Sequence, residues 1–283
     1  MERIGVIGGG TMGAGIAEVC ARAGATVVVV ESAADAVEVA HGRILKSLDR
    51  AVRGGRLSEA DSTAAAARVT VTADLAGVVD CELVVEAVPE VEELKLDLFR
   101  RLDALLPPET ILASNTSSIP LVKMATVTGR ADRVVGVHFF NPAPVLPLVE
   151  IVASLLTSEE TLATVTTFAE EQLGKTTIRS QDRAGFIVNA LLIPYILSAI
   201  RMMESGFASA ADIDAGMVQG CAHPQGPLAL ADLIGLDTTA AVAQSMYQEF
   251  KEPLYAPPPL LLRMVDAGLL GRKTGRGFFP YSR

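Results

Sequence analysis

Between His138 and Glu150 the chain reads HFFNPAPVLPLVE, an imidazole and a carboxylate twelve positions apart with Pro142, Pro144 and Pro147 between them. Apolar, β-branched runs flank this stretch at 133–137 and 148–152, so it reads as strand, loop, strand. Such a loop can return the Glu150 carboxylate to the His138 ring. A histidine held by a carboxylate has a fixed tautomer and can act as a general acid/base. The same spacing also suits a buried structural histidine beside an unrelated strand glutamate, and the stretch alone does not choose between them. Glu90 and Ser117 likewise fall just after short apolar runs (83–86 and 111–114) that read as strands. In open α/β sheets, groups beyond the carboxyl ends of strands converge on one crevice. Taken singly, each has a plainer use, and Asn115 and Ser117 in particular are good N-caps for a following helix.

The elements needed to position these groups begin at the N-terminus. Residues 3–7 form an apolar strand, Gly8-Gly9-Gly10-Thr11-Met12-Gly13 a glycine turn, and 14–23 a helix. Residues 25–30 are a β-branched strand ending in Glu31. Strand, glycine turn, helix, strand and acid make the opening of a dinucleotide-binding βαβ unit. Gly8 serves the tight turn, Gly10 the approach of backbone to a pyrophosphate, and Gly13 the packing of helix on strand. The helix N-terminus offers N–H groups and a positive dipole end to the phosphates. Glu31, eighteen residues after Gly13, would accept from the ribose hydroxyls and repel a 2′-phosphate, which selects NAD over NADP. Two predicted helices, 35–53 and 58–67 around Gly54-Gly55, intervene before the third strand at 69–72 and read as an inserted helical hairpin. Ser47, Arg50, Arg53 and Arg56 lie near its tip, where a solvated basic face is the plainer reading of the arginines. A helix at 91–105, strands at 111–114 and before His138, a helix at 157–173 and a strand at 175–179 complete the α/β part.

From Gly185 long apolar helical stretches dominate, so the expected division is an NAD-binding domain over 1–184 and a helical domain over 185–283, with 184–200 a buried helix. Two short basic motifs do not make phosphate loops. Gly174-Lys175-Thr176 lacks the upstream glycine, and Arg272-Lys273-Thr274 fails likewise. His41 on a helix and His223 before a proline have no clustered ligand partners, so no metal site is expected.

Composition narrows the classes. With 283 residues, half of them hydrophobic, the chain can bury a large core in one or two domains. A net charge of −9 gives no basic face for nucleic acid, although it does not forbid a locally basic anion site. Three cysteines far apart in sequence argue against a disulfide framework and fit a reducing compartment. The expectation is a cytoplasmic protein without a signal peptide. Its most apolar run, broken by Asn189 and Pro194, falls short of the ~20 residues a membrane span needs.

Seven segments, in order, carry a resemblance: IGVIGGGTMGAGIA, LVVEAVPE, ILASNTSS, GVHFFNPAPVLPLVE, AGFIVNALLIPY, HPQGPLALADLIGLD and GRKTGRGFF. Over essentially its whole length the chain resembles the short, single-activity 3-hydroxyacyl-CoA dehydrogenases, and among them the bacterial 3-hydroxybutyryl-CoA dehydrogenases. The resemblance implies a Rossmann-type, doubly wound sheet with an inserted helical hairpin, followed by an all-helical C-terminal domain that serves substrate binding and dimerisation. It implies NAD as cofactor, an acyl-CoA substrate and a homodimer. The family's catalytic His–Glu pair falls on His138 and Glu150. Its serine, which touches both nicotinamide and the substrate's 3-oxygen, falls on Ser117, and its substrate-binding asparagine on Asn189. Its cofactor contacts beyond the glycine turn fall on Glu31, Glu90, Lys95, Asn141 and Lys273, and its CoA-binding serine on Ser47. The pattern departs at one place: the family's hairpin lysine meets Gly54 here, with Arg53 and Arg56 beside it. One of those arginines is expected to take over the phosphate contact, to which a guanidinium is well suited. Three readings compete with a CoA substrate: an acyl-carrier-protein thioester as substrate, a non-catalytic NAD-binding relative, or a hydroxyacid dehydrogenase without CoA.

Overall fold

The computed structural model of the chain describes residues 1–281. Those residues form two units, Met1–Asp182 and a second that starts at Arg183. The expected helical domain, drawn to residue 283, runs two residues past the described chain.

The first unit is one eight-stranded sheet in the order β3-β2-β1-β4-β5-β6-β7-β8. Its strands are β1 (Arg3–Ile7), β2 (Thr26–Val30), β3 (Val69–Thr72), β4 (Leu83–Glu86), β5 (Ile111–Ser114), β6 (Val134–Phe139), β7 (Leu148–Ala153) and β8 (Thr176–Gln181). Every neighbouring pair is parallel except β6 and β7. Parallel strands covered by helices on both faces read as unbroken apolar runs, and TVVVV, LVVE and ILAS are buried along all or nearly all of their length. β3, at the edge, is the strand where threonines alternate toward solvent.

The helices of this unit are α1 (Thr11–Arg22), α2 (Ala34–Arg53), α3 (Glu59–Ala67), α4 (Glu92–Leu105), α5 (Leu121–Thr126) and α6 (Glu159–Thr167). α2 and α3 are the expected inserted hairpin, and both pack on α1. Gly55 makes the hairpin bend at φ +67°, a conformation that favours glycine. Ser58 and Ser158 cap α3 and α6 by accepting from the third residue on. α1 has no side-chain cap, so its first N–H groups are left to face the glycine turn.

Three local expectations are corrected. His138 lies inside β6, not in the loop after it, because the strand runs two residues further than its β-branched core. The helix expected over 157–173 ends at Thr167 and closes with a wide turn over Phe168–Gln172. Neither Asn115 nor Ser117 caps a helix. α5 starts at Leu121, where the Asp182 carboxylate accepts from the Leu121 and Val122 N–H groups at 2.9 and 2.8 Å.

The second unit is helical: α7 (Val188–Glu204), α8 (Ala210–Ala215), α9 (Pro227–Ile234), α10 (Leu236–Phe250) and α11 (Pro259–Asp266). α7 buries Ile193, Ile196, Leu197 and Ile200 in a core shared with α9 and α10. It is not wholly buried, as 184–200 was expected to be, since Leu191 is 74% exposed on its other face. The Asp232 carboxylate closes the C-terminal segment by accepting from Phe278 N, Phe279 N and the Tyr281 hydroxyl, each at 3.0 Å.

Candidate active site

The antiparallel pairing of β6 with β7 sets His138 directly opposite Glu150. Both are buried, and His138 Nδ1 lies 2.7 Å from Glu150 Oε2. An ionised carboxylate only accepts, so Nδ1 carries the proton and donates to Glu150. The neutral ring then presents Nε2 as an acceptor. Ser117 Oγ, on the turn that follows β5, lies 3.0 Å from that nitrogen and donates to it. Phe140 packs edge-on against the ring at 4.6 Å between centroids. A histidine so held can receive a proton at Nε2 while Glu150 stabilises the resulting imidazolium.

The turn carrying Ser117 is fixed from several sides. Asn115 Oδ1 accepts from Phe139 N at 2.8 Å, tying the turn to the strand that bears His138. Glu90 Oε1 accepts from Ser117 N at 3.0 Å, from Thr116 Oγ1 at 2.5 Å and from Ser118 Oγ at 3.0 Å. Lys95, on α4, is buried behind Glu90. Its Nζ lies 2.9 Å from Glu90 Oε2, and 2.8 and 3.0 Å from the two oxygens of Glu86. Glu86 ends β4, is fully buried, and was not singled out from sequence. A carboxylate closing an otherwise apolar strand, with a lysine nine positions on, is the signal that could have found it. Burial pushes the Glu86 carboxyl above the usual range despite Lys95. Partial burial acts on Glu90 in the same direction, but Lys95 and the Thr116 and Ser117 donors outweigh it and hold that carboxyl low. Removing one member of such a buried pair costs about 3–5 kcal/mol, because it strands the other charge.

The glycine turn meets the needs of a dinucleotide. Gly8 stands at φ +95°, and a side chain on Gly13 would collide with the Gly8 carbonyl oxygen, so α1 can lie directly on the turn. Gly10 has open space where its side chain would be, and Thr11 and Met12 open the uncapped helix beside it. Glu31 Oε1 accepts from Gly9 N at 2.8 Å, which holds the carboxylate at the end of β2. Arg43 on α2, also missed from sequence, donates to the Gly9 carbonyl oxygen at 2.5 Å. Backbone approach, helix N-terminus and acid are present together, so these residues fit NAD.

Ser47, Arg50 and Arg56 on the hairpin, with Thr11, Asn141 and Pro142, line a cleft of about 320 Å³. Arg53 is elsewhere, exposed and paired with Asp49 at 2.5 Å. In the second unit Asn189 is half-buried in the first turn of α7, and Lys273 is ion-paired with Asp237. Of the other histidines, His41 lies on α2 and His223 Nδ1 is 3.2 Å from the Tyr195 hydroxyl. No cluster of three potential metal ligands occurs among the described residues.

Comparison with known proteins accounts for nearly the whole chain. The 3-hydroxyacyl-CoA dehydrogenase NAD binding domain matches residues 3–183, and the C-terminal domain of the same family matches residues 185–281. A 3-hydroxybutyryl-CoA dehydrogenase of Mycobacterium tuberculosis is 53% identical over 282 residues, which cover 99% of each chain. The crystal structure of M. tuberculosis FadB2 superimposes with a TM-score of 0.98 at 53% identity, covering 100% of this chain and 99% of that one. That of (S)-3-hydroxybutyryl-CoA dehydrogenase PaaH1 from Ralstonia eutropha gives 0.93 at 45% identity, covering 100% of both.

Proposed function

The chain belongs to the 3-hydroxyacyl-CoA dehydrogenase family, and on that premise we propose that it interconverts 3-hydroxyacyl-CoA and 3-ketoacyl-CoA, with 3-hydroxybutyryl-CoA and acetoacetyl-CoA as the substrate pair. NAD, when bound, supplies the hydride acceptor for substrate C3, and its reduced form the donor. His138 takes the proton of the 3-hydroxyl at Nε2 in the oxidative direction and gives it to the 3-keto oxygen in the other. Glu150 holds the ring in the tautomer this needs and stabilises the imidazolium. Ser117 and Asn189 hydrogen-bond the 3-oxygen or the thioester carbonyl as charge develops there. Gly8, Gly9, Gly10, Thr11, Met12 and Gly13 receive the cofactor's pyrophosphate, Glu31 its ribose hydroxyls, and Glu90, Asn141 and Lys273 make further contacts with it. Lys95 acts from behind Glu90. Ser47, with Arg56 or Arg50 beside it, takes the phosphates of CoA.

The observation that carries this reading is the buried hydrogen bond from His138 Nδ1 to Glu150, with Ser117 on the opposite ring nitrogen. The reading also includes a cytoplasmic homodimer whose second copy covers the exposed face of α7. Among the described residues no helix is long and apolar enough to cross a membrane. Purified from the soluble fraction of lysed cells, the protein should oxidise NADH, and NADPH poorly, when acetoacetyl-CoA is supplied. His138→Ala should lower turnover by about 10²-fold or more, the lower bound of what acid/base catalysis contributes. Full activity in that variant would refute the assignment.

A further inference from the structure

We propose that Glu86 is a positioning residue for the reaction, acting through the 114–118 turn to set the Ser117 hydroxyl on His138. The inference rests on the reading of Ser117 given above. Glu86 reaches that turn by two separate routes. In the first, Glu86 Oε2 accepts from Ser114 Oγ at 2.6 Å, and Ser114 Oγ accepts from Thr116 N at 3.1 Å. In the second, both Glu86 oxygens accept from Lys95, and Lys95 donates to Glu90, whose other oxygen takes the Thr116, Ser117 and Ser118 donors. The Glu86 carbonyl oxygen also accepts from Asn115 N at 2.9 Å. Residues 114 to 118 are therefore all tied, directly or through one or two intervening side chains, to one fully buried glutamate.

Burying an ion pair is no cheaper than packing apolar side chains of the same volume, so stability alone gives Glu86 and Lys95 no advantage in this place. Geometry does. Most of these links have a charged partner, and charge-assisted bonds hold direction as well as distance. Ser117 Oγ must meet His138 Nε2 and a reacting oxygen together, and a displacement of about 1 Å at such a site costs on the order of 100-fold in rate.

The test is a double-mutant cycle between Glu86→Gln and Ser117→Ala, with NADH oxidation and acetoacetyl-CoA as the assay. Glu86→Gln should lower kcat by about tenfold or more, with KM for acetoacetyl-CoA and Kd for NADH changed by less than about threefold. In the Ser117→Ala background the same change should lower kcat by less than about threefold, because the hydroxyl it positions is gone. Ser114→Ala cuts the first route without removing a charge. It should show a smaller loss with the same dependence on Ser117, and it decides the question if Glu86→Gln does not fold. Equal losses in the two backgrounds, or a loss confined to KM, would overturn the proposal. Full turnover in Ser117→Ala would instead remove the reading of Ser117 on which it rests.

Discussion

Both nitrogens of the His138 ring are engaged, one by a buried carboxylate and one by a hydroxyl on a turn. A histidine kept only for packing needs neither partner. The carboxylate settles the tautomer, and the tautomer decides which nitrogen can take a proton. Residue identity matters as sharply in the hairpin, where the structure separates three arginines that sequence leaves side by side. Arg50 and Arg56 line the cleft with Ser47, whereas Arg53 is spent on Asp49 at the surface. Of the two arginines expected to replace the missing lysine, Arg56 lines that cleft, as Arg50 does, and the two are the proposed phosphate contacts. Arg56→Ala and Arg50→Ala should each raise KM for acetoacetyl-CoA by about 10-fold, as loss of a charged hydrogen bond predicts, with kcat nearly unchanged. Arg53→Ala should change neither constant. Steady-state kinetics over acyl-CoA concentration decides this, and a KM effect confined to Arg53→Ala would reverse the assignment.

At the scale of elements, two junctions do most to build the site. One is the start of α1, where an uncapped helix meets a glycine turn. Gly13 and Gly10 serve it differently. A methyl group on Gly13 would strike the Gly8 carbonyl oxygen, whereas one on Gly10 meets nothing. Gly13→Ala should therefore destabilise the protein by about 1–3 kcal/mol, the usual cost of overpacking, and weaken NADH binding as well. Gly10→Ala should leave the melting temperature unchanged and still weaken binding, because it fills the approach to the pyrophosphate. Thermal melts beside NADH titrations separate the two, and unchanged affinity in Gly10→Ala would remove the pyrophosphate from that place. The other junction is the β6–β7 pair. Because alternate side chains on a strand face opposite ways, a slip of one residue would turn Glu150 away from the ring. The Pro-rich loop from Phe140 to Pro147 spans that pair.

For the whole molecule, the exposed apolar residues of the second unit carry a prediction. Ile187, Leu191 and Met202 are exposed, and with Tyr195 and Ser198 they follow helical spacing along one face of α7. Phe207, just beyond that helix, is 79% exposed. Isolated exposed apolar residues are ordinary, but a stripe of them on a helix suits an interface. A second copy of the chain is the proposed partner. Sedimentation should give a dimer for the native chain, and Leu191→Asp should shift it toward monomer while the monomer keeps its helical content. A native monomer would refute the interface.

Much of this protein is written locally. The β-branched runs, the glycine turn with its acid, the hairpin and the change to apolar helices after residue 184 each follow from patterns a few residues long. Local chemistry and sheet topology therefore agree over most of the first unit. Sequence also brought His138, Glu150 and Ser117 forward as candidates, because their types and their places in or just after apolar runs are visible without a fold. What it left open was whether they meet, and that depended on pairing. The antiparallel register of β6 and β7 puts His138 opposite Glu150, and the end of β5 brings Ser117 to the ring. Glu86, for all that a lysine follows it nine positions on, was passed over for the same reason. A glutamate closing a strand is unremarkable until burial removes it from water and leaves a lysine nine residues away, and a serine on the next strand, as the groups able to satisfy it. Distance along the chain sets neither burial nor register, so the sequence determined which residues could do the chemistry and only the tertiary structure decided which of them meet.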